Sequence, residues 1–478
     1  MTIEHKTAVA LKWNAVAKLS AQLISWVVTL IVLRILTPAD YGLMAIVMVV
    51  ISIVSGVGEF GIGASLVQAP NLDRTAIARI AGALGVMNLG CGLAVAASAP
   101  WLADWFGDPE LSWLIRVAAL QFVISAIEIV PQSLLQRELD FARIARIEIT
   151  GVLLASLGTL VLAIAGYGVW ALVVGWLSGS AVRALLFVAT GRFVWPRLAF
   201  GGIGSHIRFG GIVTITRVIW QIMVQMDTII AGRVLGRDLL GLYSVAMHLA
   251  TLPMNKVMGI VNQVALSAVS RMQEDRERLR QRLLEAMRLL GLVSVPCLWG
   301  MSCVAPELVD AVLGPKWDPA IIALQLVSLA APARMLLAIL ATALTGIGRA
   351  EIELYNTTVG AVVLTIGFLI GVQWQLVGLA ASWLVAIPVI AIICIPRTAR
   401  ALGLSLRDIG AALRTPVLAG AAMYMAVSAC RLLLPDLGSA WILPILILAG
   451  GATYVGTALL LDRTLMIDLR RVALAVRG

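Results

Sequence analysis

The sequence predicts an all-α integral membrane protein of about 14 transmembrane helices, built as two pseudo-symmetric six-helix lobes followed by two further helices. Composition, the spacing of the apolar runs and an internal duplication lead to this reading. Apolar residues make up 60% of the 478 and charged residues 13%, against roughly 45–50% and about 25% in soluble domains. Mean hydropathy is +0.98. So few charges cannot cover the surface of a soluble protein of this size, and the composition equally excludes a disordered, collagen-like or disulfide-stapled chain. An outer-membrane barrel would show short alternating segments, where this chain has unbroken runs of Leu, Ala, Val and Ile.

A bilayer core takes about 20 apolar residues per helix, and runs of that size follow one another along the chain. The first, 14–35, follows a start that lacks the short apolar core and cleavage site of a signal peptide, so it reads as a retained span. Next come 42–66, 79–101, 112–134, 147–166 and 168–189. The seventh and eighth, 207–231 and 239–268, are followed by 284–305, 319–345, 353–372 and 375–395. The last pair is 411–432 and 438–461. The five cysteines have no CxxC spacing and only three histidines accompany them, so they read as small buried hydrophobes with no metal site.

Fourteen spans put both termini on one side, and the arginines cluster in the connections of that side. They run from Arg74 and Arg79 through Arg137, Arg143 and Arg146 to Arg397, Arg400 and the tail residues Arg470 and Arg471. The opposite connections hold few cations, chiefly Arg233, Arg237, Lys316 and Arg431, and Trp101–Glu110 holds three acids and no base. Cations are retained in the cytoplasm, which makes both termini cytoplasmic. The net charge of +10 is therefore a topology signal, and nucleic acid is not a partner. The arginine-rich stretch within 271–288 reads as a short amphipathic helix on the anionic inner leaflet.

Sliding the chain on itself by 199 residues places Lys18 on Arg217, Gln22 on Gln221, Thr29 on Thr228, Arg34 on Arg233, Gly42 on Gly241 and Met48 on Met247. Phe106-Gly107 resembles Leu313-Gly314 at a slightly larger offset. Six spans separate the copies, so they share one orientation, as in transporters whose substrate site lies between the halves near the midplane. This organises the chain as 1–200 (spans 1–6), 201–398 (spans 7–12) and 399–478 (the last pair and tail).

In the first span Asn14, Lys18, Gln22, Ser25 and Thr29 fall on one helical face. Arg217, Gln221, Gln225 and Thr228 repeat the stripe in the seventh. A charge at the bilayer centre costs about 2.5–3.5 kcal/mol, so two such stripes are expected to face each other across a wet cavity. The eighth span adds His248, Asn255, Lys256, Asn262 and Gln263. The expected cavity is polar and cationic, suited to an anionic substrate. Other readings stand beside this one: Lys18 reaching the headgroups, and Arg34 and Arg233 anchoring at an interface. The intramembrane acids Glu59, Glu128 and Asp227 either bind a coupling proton or Na⁺ or pair with an arginine such as Arg116 or Arg334.

Gly56-Val57-Gly58-Glu59-Phe60-Gly61 spells the dinucleotide fingerprint, but inside an apolar helix with no preceding strand the phosphate-cradling geometry is absent. Close helix packing accounts for these glycines. No ATP-binding loop and no nucleophile or metalloprotease motif is present, so no catalytic residue is assigned and the chain is read as a non-enzyme.

Several segments, taken in order, resemble the polysaccharide transporter family of bacterial lipid-linked oligosaccharide flippases, the Wzx/WzxC-like branch of the MOP superfamily. They are LRILTPADYGL (33–43), EFGIGASLVQ (59–68), FGDPE (106–110), LLQRELDF (134–141), GYGVWALV (166–173), GRVLGRDLLGLYS (232–244), residues 265–280 and LGPKWDPA (313–320). The resemblance implies a MOP/MATE-like fold with spans 1, 2, 7 and 8 lining the cavity, which here carry Lys18, Arg217 and Lys256. Where many relatives have a basic residue three positions before the acid of the seventh span, this chain has Val224. The implied activity is movement of undecaprenyl-diphosphate-linked oligosaccharide across the bacterial inner membrane, for lipopolysaccharide, exopolysaccharide or capsule. No cofactor is expected, and the pathway's polymerase and glycosyltransferases are the implied protein partners. A multidrug/cation antiporter and a peptidoglycan-precursor (lipid II) flippase are the alternatives on the same fold.

Overall fold

A chain inside hydrocarbon has no water to satisfy its N–H and C=O groups, and a helix satisfies them internally. The computed structural model describes residues 24–58, 73–198, 220–269, 276–434 and 438–462, with Gln22 and Val218; for 256–257, 259–269 and 276 it describes the backbone alone. Nearly all of this is helix. Among the described residues ten apolar stretches are long enough to cross a bilayer, and one of them, Ala350–Leu402, folds back on itself at Val372–Trp374.

Contacts divide the chain into two compact units, Met1–Gly241 and Leu242–Gly478. The first contains α1 (Ile24–Ile35), α2 (Pro38–Gly58), α3 (Arg74–Phe106), α4 (Glu110–Arg137), α5 (Phe141–Ile164), α6 (Val169–Phe187) and α7 (Met226–Val234). Helix α8 (Gly236–Val269) leads into the second. There α9 (Arg276–Cys303), α10 (Ala320–Gly346), α11 (Ala350–Gly371) and α12 (Gln375–Leu402) are followed by α13 (Leu406–Leu433) and α14 (Ser439–Leu461).

The duplication shows in the corners. Gly107, which ends α3, and Gly314, 207 residues further on, both have positive φ (77° and 93°), although their ψ values differ (26° and 170°). Between α4 and α5 Leu139 has φ 58°; between α10 and α11 Gly348 has φ 76°. In both, the left-handed residue and its successor donate back into the preceding helix: Leu139 to Gln136 and Asp140 to Leu135, Gly348 to Thr345 and Arg349 to Leu344. These bonds satisfy carbonyls the helix end would leave open. Gly168, before α6, has φ 54° and ψ −134°, and Gln375, at the start of α12, has φ 55° and ψ −142°. That backbone region is essentially reserved for glycine. Gln375→Gly is therefore expected to stabilise the protein by about 1 kcal/mol, read as a raised Tm in detergent; a lowered Tm would count against the strain.

Among the described residues the arginine-rich stretch is not a separate surface helix; 271–275 lie outside them. From Arg276 it runs unbroken into the span of α9, because buried Leu279, Leu283, Met287 and Leu290 form a continuous apolar stripe at helical spacing. Its Leu283, Met287 and Leu290 pack in one core with Met335, Ile339 and Leu402. The arginines are matched locally: Arg280 to Asp408 at 2.8 Å, Arg282 to Glu285 at 3.0 Å and Arg288 to Asp462 at 2.5 Å. Asp408 also closes a capping box with Ser405 at the start of α13. Cys303 and Cys394 are buried as expected of small hydrophobes, but Cys297 is exposed on α9.

The cations of the opposite connections each have a partner within their own unit. Arg237 reaches Asp108 at 3.2 Å and Glu110 at 3.6 Å. Arg233 lies over the Trp105 ring and Lys316 over Trp317. Arg431 on α13 makes a fork-to-fork pair with Glu307, at 2.6 and 2.8 Å. At the α4–α5 corner, hydrogen bonds from Arg192 hold the Glu138 carboxyl below the usual range.

Candidate functional site

The site begins where α2 starts. Asp40 accepts hydrogen bonds from Thr37 N–H (2.8 Å) and Oγ1 (2.7 Å), and Thr37 Oγ1 accepts from Asp40 N–H at 3.3 Å. This reciprocal cap, with Pro38 at the first helical position, fixes the direction of α2. One turn on, Gly42 lies so close to the backbone at Arg237 that a Cβ would fall 1.8 Å from its carbonyl oxygen. Gly241 stands in the same relation to Pro38, at 1.7 Å. The residues 38 and 42 on one side and 237 and 241 on the other differ by the repeat offset of 199. The two helix starts thus cross through paired glycines, a local twofold contact made possible by missing side chains.

Below the crossing, Ile46 and Phe106 close over Gly232. Then Gln225 Nε2 donates to Ser52 Oγ at 3.3 Å. Beyond this bond a cavity of about 510 Å³ opens inside the first unit. Helix α2 contributes Ser52 and Ser55, α3 Asn88, and α4 the series Gln121, Ser125, Glu128 and Gln132. Trp176 of α6, Trp220 and Gln221 ahead of α7, and the apolar Met48, Ile51, Phe122 and Ile129 make up most of the rest of the wall.

The only charge on that wall, among the described residues, is Glu128. Its Oε1 accepts from Arg183 Nε of α6 at 3.4 Å, and Arg183 also donates to Ser180 at 3.0 Å. Glu148 of α5 lies 3.8 Å from the same nitrogen and accepts from Gln132 at 3.5 Å. The guanidinium stem fits because residue 151 is glycine, where a Cβ would come within 2.2 Å of Arg183 Cγ. One cation thus serves two acids, with the Arg183 and Glu128 side chains only 21% and 11% exposed and Glu148 at 42%. Gln121 spends its amide N–H on Ser125 (3.1 Å), while its buried Oε1 has no partner among the described residues.

Of the residues the sequence singled out, Gln221 lines the cavity and Gln225 bonds across its top. Gln22, ahead of α1, is half-buried, and Asn255 is exposed on α8. Lys256 lies on α8 where only the backbone is described; Lys18, Arg217 and Glu59 lie outside the described residues. Two members of the first polar stripe turn elsewhere: Ser25 bonds Ser156 of α5 at 3.1 Å, and Thr29 donates to the Ser25 carbonyl. Asp227 is buried in the first turn of α7, where its Oδ1 accepts from Thr228 N–H at 2.7 Å and Oγ1 at 3.2 Å. That is the favoured position for an acid, facing the positive end of the helix. Glu128 pairs with Arg183, not with Arg116 or Arg334, which lie over the Trp113 and Trp383 rings. On α4 the sequence singled out Glu128 alone; Gln121, Ser125 and Gln132 were missed although their signal was present, since residues 121, 125, 128 and 132 recur at spacings of 4, 3 and 4, the same one-faced pattern as in the first span.

Apolar helices long enough to span a bilayer, walling a cavity with polar groups, define a multi-pass helical membrane protein. The fold matches a solved lipid II flippase, MurJ in an inward closed conformation, with a TM-score of 0.76 over 95% of this chain and 99% of that one, at 14% identity. The sequence pattern of the family described as polysaccharide biosynthesis protein matches residues 31–322. The lipopolysaccharide biosynthesis protein WzxC of Escherichia coli is 30% identical over 333 residues, 68% of this chain and 67% of that one. The succinoglycan biosynthesis transport protein ExoT of Rhizobium meliloti is 25% identical, over 66% of this chain and 64% of its own. The chain belongs to this polysaccharide biosynthesis family.

Proposed function

We propose that the protein is a flippase that moves undecaprenyl-diphosphate-linked oligosaccharide from the cytoplasmic to the periplasmic leaflet of the bacterial inner membrane, with both termini cytoplasmic. The observation that carries this is a sugar-sized polar cavity inside an apolar helical bundle of a polysaccharide biosynthesis family. The cargo has an anionic diphosphate and hydroxylated sugars that hydrocarbon excludes, joined to a tail that hydrocarbon accepts. Lys18, Arg217 and Lys256 neutralise the diphosphate in this reading, while Gln22, Gln221, Gln225 and Asn255 bond sugar or water. No bond is made or broken, so no catalytic group is needed. Alternating access moves the cargo, and cargo binding shifts the balance between conformations. A proton or Na⁺ gradient would act through Glu59, Asp227 or Glu128. A cation exporter on the same fold would want an unshielded acid in an aromatic cavity; Glu128 has the aromatic neighbours, but Arg183 shields it. Glycosyltransferases and a polymerase of the same pathway supply the substrate and consume the product.

The test is replacement of the paired cations. Lys18→Ala combined with Arg217→Ala is expected to abolish surface polysaccharide at normal protein levels. Unchanged polysaccharide would remove the cationic site.

A further inference from the structure

We infer that the start of α3 and the strap that follows α6 form a binding surface for anionic phospholipid of the inner leaflet. The inference rests on the topology proposed above and not on the identity of the cargo. After α6 the chain turns at Gly191, with φ 77°, and Arg192 ties it to the α4–α5 corner through Glu138, at 2.9 and 3.0 Å. Residues 193–198 then lie against α3, where the Arg197 N–H donates to the Ala78 carbonyl at 2.8 Å. The strap fits there because residue 82 is glycine; a Cβ would come within 2.2 Å of the Arg197 carbonyl oxygen. Two properties of this surface point to a lipid. The first is charge. Arg197, set beside Ala78, joins Arg79, the next residue, and Arg74, one helical turn earlier. All three are exposed and none makes an ion pair among the described residues, whereas Arg280, Arg282 and Arg288 of α9 each meet an acid. Asp73 is the acid nearest in sequence. The flanking stretches 59–72 and 199–217, outside the described residues, hold one acid, Glu59, against Arg208 and Arg217, so the positive surplus stands. The second property is amphipathy. Trp195 and Leu198 flank Arg197 and are 80% and 72% exposed. An indole settles where headgroups meet hydrocarbon, and an exposed leucine gains by leaving water. Free phosphate would satisfy the arginines alone, whereas a phospholipid satisfies the arginines and both apolar side chains. Each arginine beside an anionic leaflet is worth about fivefold in binding, and three give roughly a hundredfold.

The experiment titrates the full-length protein in neutral detergent with dioleoyl phosphatidylglycerol and reads bound lipid by native mass spectrometry. The wild type is expected to prefer it to dioleoyl phosphatidylcholine. Arg74→Gln, Arg79→Gln and Arg197→Gln combined are expected to weaken phosphatidylglycerol about a hundredfold and phosphatidylcholine hardly at all, with Tm unchanged. Lysine at the same three positions should keep most of the affinity. Trp195→Ala with Leu198→Ala should weaken both lipids, and Arg349→Gln in the second unit should change neither. Phosphatidylglycerol affinity that is unmoved by the glutamine or the alanine variant overturns the inference. So does glycerophosphoglycerol, the headgroup without chains, binding as tightly as the lipid. An equal loss of undecaprenyl diphosphate binding in the glutamine variant would give the surface to the cargo and overturn its assignment to phospholipid. The topology has its own readout: in spheroplasts an impermeant maleimide should label Arg197→Cys no more than the wild type. Labelling there would overturn the inner-leaflet placement and leave the measured lipid binding intact.

Discussion

Arg183→Ala is expected to cost about 3–5 kcal/mol, the penalty for removing one partner of a buried ion pair. The low end applies here, because the cavity admits water to one side of Glu128. The loss follows from what remains: Glu128 on α4 and Glu148 on α5 face each other across the vacated space without the guanidinium they shared. Thermal unfolding in detergent should show a clear drop in Tm, partly restored on lowering the pH, since a protonated Glu128 no longer needs the guanidinium. The companion variant Glu128→Gln with Arg183→Met removes both charges and should recover most of the stability. Equal instability of single and double variants would show that the arginine stem, packed over Gly151, matters more than its charge.

The second large effect concerns the crossing of α2 and α8. Gly42→Ala places a methyl group 1.8 Å from the Arg237 carbonyl oxygen, and both atoms belong to backbone that no rotamer change can move. Overpacking of this kind costs about 1–3 kcal/mol, which lowers the population of the crossed arrangement roughly five- to hundredfold. Surface polysaccharide should fall accordingly at matched protein levels. Gly241→Ala should behave the same way. The double substitution should cost little more than either one, because residues sharing a contact are not additive. Normal transport by Gly42→Ala would mean that the crossing is not used in the cycle.

The apolar runs made most spans legible, since a membrane helix announces itself by composition. Their ends were harder to place: α9 reaches back at least to Arg276 and not only to near 284, because amphipathic stripes continue past the point where mean hydropathy falls. The duplication led directly to Gly42 and Gly241, yet nothing in one dimension says that each will touch the other's neighbour. Gln221 and Gln225 were found from their helical spacing. Arg183 was not, because a lone arginine in an apolar run has no local partner to signal it; its acid lies 55 residues away on α4. Ser25 and Thr29 fit the same stripe as Gln22 but satisfy themselves on α5 and on their own helix. Periodicity selects a face and cannot say what that face meets.

The recurring corners have one more consequence. Counted 207 residues onward, the interval between Gly107 and Gly314, Glu128 and Arg183 become Met335 and Ile390, and Gln132 becomes Ile339, all three buried. The hinges of an ancestral half were inherited twice, down to a glutamine forced into a glycine's shape at position 375. The interiors were not. At these positions one copy sets polar and charged side chains beside a cavity and the other sets buried apolar ones, so a recurring frame carries two different interiors.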